Sequence, residues 1–276
     1  MINETYKAML KGKSIIRELS EYATARGKEI GYENVFDYSL GNPSVPCTED
    51  YTDTVIAMYQ NMNPMEIHGY SPSLGIESVR AAVAESLNRR FDMDYEAKHI
   101  FMASGAAGAL AHAFRAVTKP GDEIITFAPC FPEYFPYVNT TGAVLKVVPA
   151  NTEDFQINFE EFEKMLNPKV MAVLINTPNN PSGIVYSEET IKRLAGILEA
   201  KQKEYGHDIF IISDEPYREI VFDGKECPYV SSYYDNSISC YSFSKSLSLP
   251  GERIGYVAVN PRATDADIFA VICGHI

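Results

Sequence analysis

Seven short apolar segments recur along the chain from residue 99 onward. Each is brief, rich in β-branched residues and almost continuously apolar, rather than alternating between apolar and polar positions. Strands that are buried on both faces have this pattern, which is typical of parallel sheets. The predicted strands are residues 99–103, 123–127, 144–148, 170–175, 209–213, 238–241 and 254–259.

Helical patterns of apolar residues alternate with several of these strands. The predicted helices cover residues 105–117, 159–166 and 187–203, and two more are expected upstream, at residues 14–26 and 77–90. Ser187 opens one of them as an N-terminal cap, with Thr190 in the first turn. The alternation predicts an α/β fold in which helices cover a largely parallel sheet. In such folds the ligand site lies beyond the carboxyl ends of the strands.

Composition and charge narrow the classes of function. The chain has 276 residues, 46% of them hydrophobic, which is typical of a globular protein and excludes disordered and fibrous classes. A formal net charge of -13 repels phosphate backbones and anionic lipids, so we expect neither nucleic acid nor a membrane surface as a partner. The sequence contains neither a secretory signal nor a long apolar span, and its five cysteines form no CxxC pair. We therefore expect a soluble protein of the reducing cytoplasm.

Two of the expected strands run into segments that carry polar groups which a core would not need. Residues 103–110, ASGAAGAL, begin a helix whose first turn has almost no side chains. Its bare amides can bind a phosphate, although close packing by small residues explains this segment equally well. Residues 176–183, NTPNNPSG, contain prolines that hold the Asn side chains near the sheet edge, although an ordinary loop would have the same composition.

Two more expected strands run into charged residues. Asp214 follows the strand at 209–213, and taken alone it is explained as the cap of a helix or turn. Lys245, bracketed by Ser244 and Ser246, follows the strand at 238–241. A desolvated lysine loses basicity and can form an imine with a carbonyl compound. The alternative interpretation is that Lys245 lies on a surface loop and is solvated.

Taken together and in order, the four segments resemble the pyridoxal-phosphate-dependent aminotransferases of class I and II, which have fold type I. The resemblance rests on the SxSK motif at 242–245, followed eight residues later by Arg253, and on the NPSG and DEPY segments before it. Four ordered motifs are much harder to obtain by chance than one. The resemblance extends from about residue 15 to residue 276. It implies a mostly parallel seven-stranded sheet flanked by helices and pyridoxal 5'-phosphate as the cofactor.

By this resemblance, Lys245, Asp214 and Tyr217 are the expected catalytic residues. Lys245 would hold the cofactor as an imine and then move a proton between the substrate Cα and the cofactor. Asp214 would pair with the pyridine nitrogen, because a protonated ring accepts the electrons that are freed when a bond at Cα breaks. Asn180 and Tyr217 would donate hydrogen bonds to the phenolic oxygen of the ring.

The other residues implied by the resemblance surround the ring, the phosphate and the substrate. Phe131 would stack on the ring face, with plain core packing as the alternative. Tyr70 would reach the phosphate of the neighbouring subunit, which implies a homodimer. Gly41 and Asn180 would lie near the substrate carboxylate. The expected phosphate-binding residues are Gly105, Ala106 and Ala107 through their amides, together with Ser242, Ser244 and Arg253.

The same resemblance implies a domain organisation and a reaction. The N-terminal arm would comprise residues 1–45, which also form part of a small domain that is otherwise largely missing. The large cofactor-binding domain would comprise residues 46–276 and would be truncated at its C-terminal end. The expected reaction moves an amino group between an amino acid and a 2-oxo acid. The alternatives are a carbon–sulfur lyase or another eliminating enzyme of the same fold, and a truncated non-catalytic module. A dinucleotide-binding dehydrogenase is set aside because no GxGxxG motif follows an early strand. The histidines are scattered along the chain, so the sequence predicts no metal site.

Overall fold

The computed structural model describes residues 4, 7 and 15–276, and the chain divides into two compact units, Met1–Pro46 and Cys47–Ile276. In the first unit, helix α1 (Ile15–Ile30) is followed by a short 3-10 turn at Tyr32–Asn34. The predicted helix at 14–26 is therefore present and runs four residues further, while residue 14 lies outside the described residues.

The second unit is built on a seven-stranded sheet in the order β1-β7-β6-β5-β4-β2-β3. All seven predicted strands are present, with ends shifted by at most one residue. The strands are β1 (Ile100–Ala103), β2 (Glu123–Phe127), β3 (Val144–Val148), β4 (Val170–Asn176), β5 (Phe210–Asp214), β6 (Ser237–Ser242) and β7 (Gly255–Val259).

The second unit also contains nine α-helices, and those that follow residue 76 pack on the sheet or connect its strands. The helix at 105–117 has the predicted ends, and Ser187 caps its helix as predicted, because its Oγ accepts from the amide of Thr190 at 3.0 Å. The helices are α2 (Glu49–Asn61), α3 (Pro64–His68), α4 (Glu77–Phe91), α5 (Gly105–Val117), α6 (Tyr134–Asn139), α7 (Phe159–Met165), α8 (Glu188–Tyr205), α9 (Phe243–Ser246) and α10 (Ala266–Cys273).

One strand runs against the other six. β7 lies between β1 and β6 and is antiparallel to both, while β2 to β6 pair in parallel. The register places Gly255, the first residue of β7, opposite both Ala103 and Ser242, the last residues of β1 and β6. The amino end of β7 therefore lies at the same sheet edge as the carboxyl ends of the other strands.

Side chains that alternate along the strands form a separate core on each face of the sheet. Ile212 and Leu174 pack with α5 and α10, whereas their neighbours Ile211 and Val173 pack with α7 and α8. On α8 the residues facing the sheet recur at helical spacing, as at Ile191, Leu194 and Leu198. Helices on both faces make the central strands inaccessible to water and leave only the strand ends for a ligand. Among the described residues, no helix is both long enough and apolar enough to cross a membrane.

Candidate active site

The polar segments selected from the sequence meet at one edge of the sheet. Asn176, the last residue of β4, is in register with Asp214 at the end of β5, and Asp214 is in register with Cys240 of β6. The side-chain amide of Asn176 donates to the backbone carbonyl oxygen of Asp214 at 2.8 Å. The ends of two neighbouring strands are thereby held together by a buried hydrogen bond.

Asp214 is a buried acid in which one side-chain oxygen accepts a hydrogen bond and the other has no donor among the described residues. The Tyr134 hydroxyl donates to Asp214 Oδ2 at 2.6 Å. Asp214 Oδ1 is buried and has no hydrogen-bond partner among the described residues. A buried acceptor without a donor is costly, so this oxygen marks a position at which a ligand donor would be bound favourably.

The surroundings of Asp214 hold its pKa far above the usual value. Burial raises the pKa from 3.8 to about 7, the hydrogen bond from Tyr134 opposes the rise, and the charge of Glu215 adds to it. Because the folded pKa is raised, folding is favoured by this group at acid pH, and that contribution is lost as the pH rises from about 4 to about 7. A cation placed at Oδ1 would restore the ionised form.

Asn180 and Tyr217 come together beside this acid. The side-chain amide of Asn180 lies 3.4 Å from the Tyr217 hydroxyl oxygen, and the backbone amide of Asn180 donates to Asn176 Oδ1 at 2.6 Å. Burial and the charge of Asp214 raise the pKa of Tyr217, while the contact with Asn180 lowers it. Tyr217 therefore remains a neutral donor at physiological pH.

Lys245 lies in the four-residue helix α9, directly after β6. Ser242 caps this helix, because its Oγ accepts from the amide of Ser244 at 3.1 Å, and the two hydroxyl oxygens lie 2.6 Å apart. The Lys245 side chain is half-buried, and desolvation lowers its pKa. A larger fraction of this amine is therefore neutral, and nucleophilic, than for an exposed lysine.

The amino end of α5 and Arg253 lie close together and form a candidate cradle for an anion. Gly105 has φ of +71°, and a Cβ on it would lie 2.8 Å from Arg253 Nη2. Arg253 itself has φ of 54°, and its Nη1 donates to the carbonyl oxygen of Pro250 at 2.9 Å. Ala106 and Ala107 continue the first turn of the helix, where backbone amides have no partner within the helix. Amides, a guanidinium and the capped start of α9 thus occur at neighbouring strand ends.

Three further residues suggested by the resemblance lie in other surroundings. Phe131 is half-buried in the loop after β2, and its ring packs edge-on against Tyr134 with centroids 5.6 Å apart. Tyr70 is fully exposed in the loop after α3. Gly41 belongs to the first unit, after the turn at Tyr32–Asn34. Their roles stay predictions.

The structure also brings in residues that the sequence analysis did not select. Tyr134 contacts Asp214, although 80 positions separate them and no motif marks this tyrosine. Glu215 and Arg218 form a buried ion pair, with Glu215 Oε2 and Arg218 Nη1 2.6 Å apart. The sequence does contain a signal for that pair, since three charged residues stand within five positions directly after a buried strand.

Comparisons with known proteins agree with the motifs. The family model "Aminotransferase class I and II" matches residues 35–270. An aspartate aminotransferase of Thermotoga maritima is 32% identical over 237 residues, which are 85% of this chain and 60% of that protein. A probable N-acetyl-LL-diaminopimelate aminotransferase of Bacillus subtilis is 32% identical over 227 residues, 82% of this chain and 55% of that protein.

Solved structures give the same answer for the fold. A crystal structure of an amino transferase from Eubacterium rectale has a TM-score of 0.94 and 49% identity, covering 99% of this chain and 69% of that one. The Thermotoga maritima aspartate aminotransferase structure has a TM-score of 0.83 and 30% identity, covering 95% of this chain and 66% of that one. The chain thus spans 60% or less of these two curated relatives.

Proposed function

This chain belongs to the aminotransferase class I and II family, and from that premise we propose that it transfers an amino group between an amino acid and a 2-oxo acid, using pyridoxal 5'-phosphate. The observation that carries the proposal is the unsatisfied oxygen of Asp214 at the sheet edge where the Lys245 segment begins. A buried carboxylate that lacks one donor suits a protonated ring nitrogen.

The residues of this edge fit the cofactor at both of its ends. Asp214 Oδ1 offers an acceptor without a partner among the described residues, as the pyridinium N–H requires. At the other end, Gly105 has the positive φ that favours glycine, and the absence of a Cβ leaves room for Arg253 beside the first turn of α5. A guanidinium next to bare helix amides is suited to a phosphate dianion.

When bound, pyridoxal phosphate supplies an aldehyde that bonds amines and a cationic ring that accepts the electron pair released at the substrate Cα. In our proposal Asp214 holds the proton on the ring nitrogen. Asp214 alone would take up a proton near neutral pH because its pKa is raised. The positive charge of the ring nitrogen beside it would keep it ionised. Burial of the carboxylate keeps water from competing for the same proton.

Lys245 is the proposed nucleophile and general acid–base. Its amine would hold the cofactor covalently and, when free, would carry the proton that moves between the substrate Cα and the cofactor. The lowered pKa favours the neutral amine that both tasks require. Placement on the short, Ser242-capped helix holds this amine near the strand end.

The other proposed contacts orient the cofactor and the substrate. Asn180 and Tyr217, whose side-chain amide and hydroxyl lie 3.4 Å apart, would donate to the phenolic oxygen, and Phe131 would pack on the ring face. Asn180 is the proposed contact to the substrate carboxylate. The phosphate is held by Gly105, Ala106, Ala107, Ser242, Ser244 and Arg253.

For the whole protein we propose a cytoplasmic homodimer in which Tyr70 reaches the phosphate of the neighbouring subunit. The full exposure of this tyrosine suits a contact with a second chain. Residues 46–276 are the proposed large cofactor-binding domain, and residues 1–45 the N-terminal arm with part of the small domain.

The test is the amino-transfer half-reaction. The loaded protein is mixed with single amino acids, and both the absorbance of the bound cofactor and the 2-oxo acid product are measured. We expect conversion with at least one amino acid, and a loss of about 10²- to 10⁴-fold in its rate for Lys245→Ala, the size of a general acid–base contribution.

The matched control is Lys203→Ala, at an exposed lysine on α8, which should leave the rate unchanged. Absence of conversion with every donor would overturn the proposed reaction. Formation of pyruvate and ammonia without any 2-oxo acid acceptor would instead favour the eliminating enzyme.

A further inference from the structure

Tyr134 lies against the proposed ring-binding carboxylate without belonging to any of the motifs. Tyr134 is the first residue of helix α6, and it is only 1% exposed. Its hydroxyl donates to Asp214 Oδ2 at 2.6 Å, within the range of strong O–H···O⁻ bonds. An ionised carboxylate can only accept, so the phenol must be the donor.

This contact decides which oxygen of Asp214 remains for a ligand. Oδ2 is occupied by Tyr134, while Oδ1 is buried and has no partner within the described part of the chain. The main chain of Asp214 is held separately, because the Asn176 side chain donates to its carbonyl oxygen at 2.8 Å. Asp214 is therefore held at its main chain and at Oδ2, while Oδ1 is left without a donor among the described residues.

We propose that Tyr134 is a positioning residue that holds Asp214 Oδ2, presents Oδ1 to the ring nitrogen of the cofactor and favours the ionised carboxylate despite its burial. The inference rests on the proposed function, in which Asp214 meets that nitrogen. Tyr134 acts through Asp214 rather than on the reacting atoms.

The titratable groups that interact with Asp214 come from three elements: Tyr134 from α6, Glu215 and Tyr217 from its own segment, and Cys240 from β6. Arg218 balances the charge of Glu215 at 2.6 Å. The pKa values of Tyr134, Tyr217 and Cys240 are all raised by burial, so these three groups stay neutral. The hydrogen bond from Tyr134 thus opposes both the burial and the charge of Glu215, which raise the pKa of Asp214.

The test uses Tyr134→Phe, which removes only the hydroxyl. The pKa of Asp214 is measured by carboxyl ¹³C NMR on the full chain after removal of the cofactor, with Asp214→Asn assigning the signal. We expect it to rise by about one to two pH units above the wild-type value, as loss of a hydrogen bond to a charged group requires. A site-specific 3-fluorotyrosine at 134, a more acidic donor, should lower it and leaves the packing intact.

The matched control is Tyr234→Phe, near the other end of β5. Tyr234 is 2% exposed, and its hydroxyl donates to the carbonyl oxygen of Ile209 at 2.7 Å. This variant loses an equally buried hydrogen bond, so it should leave the titration of Asp214 unchanged. An unchanged titration in both Tyr134 proteins would overturn the inference.

The second measurement is the affinity of each chain for pyridoxal 5'-phosphate, by equilibrium dialysis. We expect about tenfold weaker binding in Tyr134→Phe at neutral pH, because one pH unit corresponds to a tenfold change. A shifted titration with unaltered affinity would overturn the claim that Tyr134 presents Oδ1 to the cofactor. Failure of the wild-type chain to bind the cofactor would overturn the proposed function instead, while the titration would still decide whether Tyr134 controls Asp214.

Discussion

Arg218 is a buried cation whose charge is balanced by Glu215. The two side chains are each 3% exposed, and Arg218 Nη2 also donates to the Tyr256 hydroxyl at 3.1 Å. The guanidinium carbon lies 4.6 Å from the centroid of the Tyr241 ring. Because Glu215 directly follows Asp214 in the chain, removing Arg218 would leave an uncompensated negative charge beside the candidate site.

Arg218→Met should therefore lower the free energy of unfolding by about 3–5 kcal/mol, the cost of breaking a buried ion pair on one side. Urea denaturation of the cofactor-free chain measures this loss. The control is Lys164→Met, which removes a cation from exposed ion pairs with Glu160 and Glu161 and should have little effect. Equal losses in the two variants would contradict a stabilising role for the buried pair.

Residue types could be predicted from the sequence where a motif places them, but their partners could not. The motifs indicate Asp214 and Lys245 because four ordered segments together match one family, although each residue alone has a plainer explanation. The hydrogen bond from Tyr134 to Asp214 depends on how the loop after β2 folds back over the sheet, and a separation of 80 positions leaves no local trace of it. The raised pKa of Asp214 follows from burial, which is likewise a property of the fold.

At the level of elements, the start of α5 depends on a residue without a side chain. Gly105→Ala would put a Cβ 2.8 Å from Arg253 Nη2 at a φ of +71°. We expect a loss of stability of about 1–2 kcal/mol from the left-handed backbone. We also expect at least tenfold weaker binding of pyridoxal 5'-phosphate, because displacing the guanidinium removes a charge-assisted contact worth roughly 1.5–3 kcal/mol.

The matched control is Gly108→Ala, three residues further along α5. There a Cβ would have its nearest neighbour at 3.4 Å, an ordinary contact, and alanine is the better helix former. Gly108→Ala should retain cofactor affinity and full stability. If Gly105→Ala bound the cofactor as tightly as Gly108→Ala, the proposed cradle would be wrong.

The sequence predicts the strands better than the helices, because it misses the 13-residue α2 as well as the short α6 and α9. The apolar runs of β2 and β3 and the small-residue pattern of α5 indicate their ends correctly, because burial determines those residues directly. The direction of β7 could not be predicted, since a strand that is buried on both faces has the same composition in either direction. The helices α6 and α9 have only six and four residues, too few for a helical period to be recognised.

The antiparallel direction of β7 has a consequence for the site. Arg253 lies two residues before this strand, so it arrives at the sheet edge where the other strands end. In a parallel strand it would have started from the opposite edge. The reversed direction of this one strand therefore brings the SxSK motif and its arginine to the same edge of the sheet.

For the molecule as a whole, the fold and the proposed cofactor chemistry converge on one edge of the seven-stranded sheet. The formal charge of -13 suits a partner that is a small molecule held by local cationic groups, rather than a polyanion attracted at long range. The central claim is that Lys245 is the one amine that binds pyridoxal 5'-phosphate covalently.

The most direct test is borohydride reduction of the cofactor-loaded chain, followed by proteolysis and mass spectrometry of the peptides. The expected result is a single modified peptide that contains Lys245 and carries the reduced cofactor, and loss of that label in Lys245→Ala. A label on a different lysine, or no label on a chain saturated with the cofactor, would contradict the account.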